Sequence, residues 1–160
     1  MCAPDLLRYC TETVNVEGLF YNCGYISNGS KSHMQPETPE VTSLHGLKGR
    51  IVPYLFKPVS NITSIANMFY NCKLLGFYED ESGTQYVIPK TFFNYATRIT
   101  NLSNAFLGTT YPSKVNLKVF DSLTGTLNIT SIFQYCRFNG TSSQRVNIYQ
   151  VFKNKSINAM

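Results

Sequence analysis

Four segments of this chain place two large apolar side chains at one interval of 13 residues. The pairs are Leu7 and Phe20, Phe56 and Phe69, Phe93 and Phe106, and Phe120 and Phe133. A fixed interval in four places indicates an internal repeat, which constrains the fold more than any local assignment does. Phe152 begins a fifth copy. We therefore predict a single repeat array over residues 1–160, with units starting near residues 2, 51, 87, 117 and 146 and a long insertion at 24–49.

Each unit opens on a short run of β-branched and aromatic residues, which predicts a strand of three to five residues. The runs lie at residues 51–56, 87–93, 118–120 and 149–152. In the second copy the next apolar residues follow in steps of 3, 3, 1 and 3, namely Ile62, Ile65, Met68, Phe69 and Cys72. This spacing places one apolar stripe on a short helix. Residues 74–89 hold two apolar runs around EDESG, which predicts a β-hairpin.

These elements together predict an α/β fold, an irregular leucine-rich-repeat-like solenoid of about five units. Short strands would form one face and short helices the other, with loops inserted between units. The core would contain Phe20, Phe56, Phe69, Phe93, Phe106, Phe120, Phe133, Phe152, Cys23, Cys72 and Cys136. The phenylalanines form the rungs of an aromatic ladder, and the cysteines act as small buried apolar residues.

A column of small polar residues lies eight positions after the first Phe or Leu: Asn15, Ser64, Asn101 and Asn128. Two interpretations remain open. The side chains bond the backbone of turns that no sheet satisfies, or they are surface residues of an Asn-rich chain.

Residues 59–75, VSNITSIANMFYNCKLL, resemble the BspA-like leucine-rich repeats, whose units run like SNVTNMSYMFYGCSSL. With the weaker matches elsewhere, the resemblance covers about 85 of the 160 residues. The resemblance implies a solenoid found in bacterial surface proteins and adhesins, with similar arrays in virion proteins of gut bacteriophages.

Composition and motifs point away from several classes of function. The net charge is +5, and residues 90–160 carry eight basic residues against one acidic residue, without the interleaved aromatics of a nucleic-acid groove. No apolar run is long enough for a membrane span, and residues 1–10 do not have the pattern of a secretory leader. His33, His45, Glu37 and Glu40 fit no standard metal spacing. We expect no enzymatic activity, no catalytic residue, no metal and no cofactor.

The expected function is that of a structural and interaction scaffold, because solenoids offer extended binding surfaces. Aromatic and basic residues at strand positions suggest Tyr54, Tyr86, Lys118 and Tyr149 as binding residues. Partners would be other protein subunits or a host or cell-surface ligand, within a larger assembly.

Two settings are compatible with this scaffold. One is a bacteriophage virion protein, a tail or tail-fibre component made in the host cytoplasm, which the reduced cysteines favour. The alternative is a segment of a secreted adhesin on the bacterial cell surface. Residues 156–160 match residues 64–68, so the fifth copy looks incomplete and we expect a piece of a longer array.

Overall fold

A computed structural model describes residues 6–21, 51, 53–72, 78–79, 85–86, 88–111, 115–116, 118–138 and 148–159. Regular elements within these ranges are very short. They are β1 (Tyr78–Glu79), β2 (Gln85–Tyr86), β3 (Thr110–Tyr111), β4 (Leu127–Asn128), β5 (Arg137–Phe138), α1 (Ile148–Val151) and β6 (Ile157–Ala159). Most other described residues belong to turns. The insertion expected at 24–49 lies outside the described residues.

The predicted α/β solenoid, with a strand and a helix in each unit, is wrong. Residues 53–58, 90–95 and 118–122 form turns where strands were expected, and residues 149–152 lie in or next to the single helical turn α1. Residues 66–71 form further turns where a helix was expected. The apolar spacing did not distinguish a helix from turns. A chain of turns that repeats every three residues also places its apolar side chains on one face, as a helix does.

The turns recur at three-residue intervals in the second copy. The N–H of Val59 donates to the C=O of Phe56 at 3.0 Å, and the N–H of Met68 donates to the C=O of Ile65 at 3.0 Å. Asn67 and Asn71 then adopt positive φ angles of 56° and 54°. An α-helix of L-residues cannot pass through such left-handed positions. The same two places in the other copies are left-handed at Gly18, Asn104, Gly108, Ser131 and Tyr135.

The copies form successive coils of a stack: coil 1 (residues 7–21), coil 2 (56–72), coil 3 (93–109), coil 4 (120–136) and coil 5 (152–159). Positions are counted from the first Phe or Leu of each coil, taken as 0. Parallel bridges join position 8 of each coil to the next, through Asn15↔Ser64, Ser64↔Asn101 and Asn101↔Asn128. The repeat register taken from the sequence is therefore the register of the stack for coils 1 to 4.

Backbone hydrogen bonds join neighbouring coils at every second residue. From coil 2 to coil 3, the N–H groups of Ile65, Asn67, Phe69 and Asn71 donate at 3.0, 3.0, 2.8 and 2.7 Å. Their acceptors are the C=O groups of Asn101, Ser103, Ala105 and Leu107. The intervening N–H groups bond within their own coil, so both sets of donors are satisfied without a helix or a long strand.

Coil 5 stacks on coil 4, although not in the register that the sequence suggested. Strand β4 pairs in parallel with β6, with Leu127 opposite Ile157 and Asn128 opposite Ala159. Ala159, not Ser156, therefore lies at the place of Ser64, and the predicted match of residues 156–160 with 64–68 is wrong. Coil 5 reaches this position in fewer residues than the other coils do. The pairing is accordingly irregular between Leu127 and Asn128, where Asn158 has no opposite residue.

Phenylalanine rings fill the interior in two columns. In one column Phe20, Phe69, Phe106 and Phe133 follow one another with centroid separations of 5.3, 5.4 and 5.8 Å. In the other column Phe56, Phe93, Phe120 and Phe152 are 6.4, 5.1 and 4.7 Å apart. All are buried except Phe20, which is partly buried. Each ring thus contacts its counterpart one coil away.

Two elements lie outside the coils. The hairpin expected in residues 74–89 is confirmed, because β1 pairs with β2 in antiparallel fashion with Tyr78 opposite Tyr86. Strands β3 and β5 extend the ends of coils 3 and 4 as a parallel pair. Within the described ranges, no helix has the length and apolar character that crossing a membrane requires.

Candidate interaction surface

The polar column at position 8 holds the turns rather than decorating the surface. Asn15 Oδ1 accepts the N–H of Glu17 at 2.7 Å, and Asn101 Oδ1 accepts the N–H of Ser103 at 3.2 Å. Asn128 Oδ1 accepts from Thr130 in the same way at 3.0 Å. Each side chain caps the N–H two residues ahead, as Asn does in turns. Of the two interpretations left open by the sequence, the backbone-bonding one is observed.

Glu17 links three coils on this side of the stack. Its carboxylate accepts a hydrogen bond from the Ser64 hydroxyl of coil 2. The Asn101 amide of coil 3 donates to the same oxygen at 3.4 Å. Glu17 is exposed, so the cluster is a polar strip across the coil edges rather than a closed site.

The cysteines at position 16 act as hydrogen-bond donors between coils. Cys72 Sγ donates to the C=O of Phe20 at 2.9 Å, and Cys136 Sγ donates to the C=O of Phe106 at 3.0 Å. Burial raises the pKa of the Cys136 thiol from 9.0 to about 11, against weaker lowering by hydrogen bonds with Thr109 and Gly108. A thiol that stays protonated is a poor nucleophile. Cys23 lies outside the described residues.

Tyrosine pairs from neighbouring coils line the outside of the stack. Tyr21 and Tyr70 stack with ring centroids 4.7 Å apart and planes at 16°. Tyr54 and Tyr95 meet edge to face at 6.1 Å. Tyr54 is 55% exposed and Tyr95 is 39% exposed. The stack therefore presents pairs of aromatic side chains from neighbouring coils to solvent.

The four predicted binding residues lie in different elements. Tyr54 and Lys118 share position −2 of coils 2 and 4, and both are exposed. Tyr86 lies in β2 and is partly buried. Tyr149 lies in α1, and its side chain is outside the described part of the chain. The recorded ring contact of Tyr54 is with Tyr95, which the sequence prediction did not include.

Sequence reasoning also missed Tyr21 and Tyr70. Both follow the second Phe of a coil in the identical tetrapeptide FYNC, at residues 20–23 and 69–72. That identity was a usable signal, because residues at one position of stacked coils lie next to each other. Tyr95 had no such signal, since its partner Tyr54 occupies a different position of the preceding coil.

The expected absence of a metal site concerned His33, His45, Glu37 and Glu40, which lie outside the described residues. Among the residues that are described, no group of three or more His, Cys, Asp or Glu side chains is arranged to hold a metal ion.

Comparisons with protein-family models, with curated proteins and with solved structures find no match for this chain. The likeness of residues 59–75 to BspA-like repeats therefore stays a prediction.

Proposed function

We propose that the chain is a non-enzymatic interaction module that binds a protein partner through the tyrosine pair Tyr54–Tyr95. The exposed ring contact between the two carries this proposal. Tyrosine is enriched at interfaces and their energetic centres, because it offers a large contact area with few torsions to order. The two rings already contact each other, which reduces the side-chain freedom that remains to be lost on binding.

Lys118 belongs to the same proposed surface. It lies at the position of Tyr54, two coils further along the stack, and its side chain is exposed. Stacked backbones in extended pairing lie roughly 4.8 Å apart, so the two positions are separated by about 10 Å along the stack. A single partner surface can span that distance and meet both an aromatic and a cationic group.

The test compares a Tyr54→Ala/Tyr95→Ala double variant with the wild type as immobilised bait for proteins of the source cell. Tyr135→Ala is the matched control, because Tyr135 is 77% exposed and belongs to neither pair. We expect a protein retained by wild type and control to be lost with the double variant. Identical retention by all three baits would refute the proposal.

We further propose that this module is part of a tail or tail fibre of a bacteriophage virion. The alternative is that it belongs to a secreted bacterial adhesin. Both rest on the resemblance of residues 59–75 to BspA-like repeats. The flanking sequence and genes distinguish them: a wall anchor or signal peptide identifies an adhesin, and neighbouring capsid and portal genes identify a phage.

A further inference from the structure

Coil 1 leaves the core partly uncovered at one end of the stack, although its Leu7 and Val16 are buried. Leu6, at position −1, is 43% exposed, whereas residues at this position in the other coils are at most 3% exposed: Leu55, Phe92, Val119 and Val151. Leu19, at position 12, is 39% exposed, whereas Met68, Ala105 and Ile132 at the same position are at most 2% exposed. Side chains that face the interior elsewhere thus reach solvent at this edge.

The backbone of coil 1 presents a row of hydrogen-bond acceptors at the same edge. Between coils, N–H groups at positions 9, 11 and 13 donate to C=O groups at positions 8, 10 and 12 of the following coil. The corresponding C=O groups of coil 1 belong to Asn15, Glu17 and Leu19, and they therefore face away from coil 2. All three residues are exposed, and no hydrogen bond to these oxygens is found within the described residues.

The column that contains Phe20 also ends here, and within the described residues Phe20 has a ring neighbour on one face only. Phe20 stacks on Phe69 at 5.3 Å and is only partly buried, whereas Phe69, which has rings on both faces, is 1% exposed. Tyr21 stacks on Tyr70 and remains 48% exposed. Coil 4 differs at the same positions, because Ile132 and Phe133 are 2% and 6% exposed, whereas Ile157 of coil 5 is 36% exposed.

We propose that this edge, formed by Leu6, Asn15, Glu17 and residues 19–21, binds a further coil of the same repeat. Such a coil supplies N–H donors at alternate residues, matching the acceptor row. It also supplies a phenylalanine at position 13, which stacks on Phe20, and apolar side chains at positions −1 and 12, which cover Leu6 and Leu19. A purely apolar ligand would bury the three carbonyls without donors, which is unfavourable.

The probe is a fluorescent 17-residue peptide with the sequence of residues 93–109, titrated with the full chain and followed by fluorescence anisotropy. Its N–H groups at Leu102, Asn104 and Phe106 donate in the stack. We expect saturable binding of this peptide, and none of a peptide with the same residues in scrambled order. Leu19→Lys in the chain should weaken binding tenfold or more, since a lysine at an exposed edge opposes pairing.

Tyr135→Lys is the matched control, because Tyr135 is exposed on coil 4 and should leave binding unchanged. Circular dichroism establishes that each variant is folded. Leu6→Lys, on the same edge, and Phe106→Ala in the peptide provide tests that do not depend on the folding of Leu19→Lys; each should also weaken binding. Absence of saturable binding, equal binding of the scrambled peptide, or unchanged affinity in all three variants would overturn the proposal. The bait experiment with Tyr54 and Tyr95 tests a different surface and is independent of this outcome.

Discussion

Replacing Phe69 by alanine tests whether the ring columns hold the stack together. Phe69 is 1% exposed and lies between Phe20 at 5.3 Å and Phe106 at 5.4 Å. Loss of a buried phenylalanine costs about 3–5 kcal/mol. Stacked aromatic pairs contribute ~0.5–1.5 kcal/mol beyond their buried area. Because Phe69 has a stacked neighbour on both faces, we expect the upper part of this range, about 4–5 kcal/mol.

For a chain of this length each kcal/mol shifts the melting temperature by roughly 2–4 °C, so Phe69→Ala should lower it by about 8–20 °C. Thermal unfolding followed by circular dichroism measures this shift. Lys57→Ala is the control, because Lys57 is exposed and its turn hydrogen bond to Tyr54 comes from the backbone. Phe69→Leu, which keeps the burial but loses the stacking, should fall between the two. Equal melting temperatures for Phe69→Ala and Lys57→Ala would show that the ring columns do not stabilise the stack.

Three further perturbations examine the turns and the buried thiols. Gly108→Ala should lower the free energy of unfolding by about 1–3 kcal/mol. Gly108 has φ +69°, and an added Cβ would lie 2.3 Å from Asn71 Oδ1. A denaturant titration measures this change, and an unchanged midpoint would contradict the left-handed turn. Asn101→Ala should lower the free energy of unfolding by about 1 kcal/mol, because the side-chain cap is lost. Asn101→Ser should retain most of the wild-type stability, since Ser64 caps the same turn in coil 2. Equal denaturation midpoints for the two variants would argue against capping. The pKa of the Cys136 thiol is raised to about 11 from 9.0, so its protonated form is favoured by folding. This contribution is present below pH 9.0 and is lost as pH rises through about 11, so the loss of stability over this range should be smaller for Cys136→Ala than for the wild type; the same loss in both would refute the assignment.

Much of the packing could be predicted from the repeat. The interval of 13 residues placed Phe56, Phe69, Phe93 and Phe106 in the interior, because copies in one register must bury the same positions. The column of Asn15, Ser64, Asn101 and Asn128 aligned coils 1 to 4 correctly. The end of the chain was misaligned, since coil 5 has a shorter path and the likeness of residues 156–160 to residues 64–68 outweighed the place of Phe152.

The tyrosine surface was only partly predictable. Tyr54 was proposed from its aromatic character, but its neighbour Tyr95 depends on how two coils cross. Tyr21 and Tyr70 occupy one position of the repeat, so their contact followed from the same register that aligned the phenylalanines. Lys118 was found through its position relative to Phe120, yet no pattern in the sequence indicated its distance from Tyr54.

What the sequence determined by itself is therefore the identity of the buried phenylalanines and the register of coils 1 to 4, since both follow from side-chain spacing. The backbone conformation was decided by the tertiary structure. An apolar step of three fits a helix as well as a chain of turns, and Asn67 and Asn71 are tolerated in either. Hydrogen bonds from Ile65, Asn67, Phe69 and Asn71 to the next coil select the turns. In a helix those N–H groups would bond within the helix, parallel to its axis. The left-handed conformations are favourable only because a neighbouring coil accepts these hydrogen bonds.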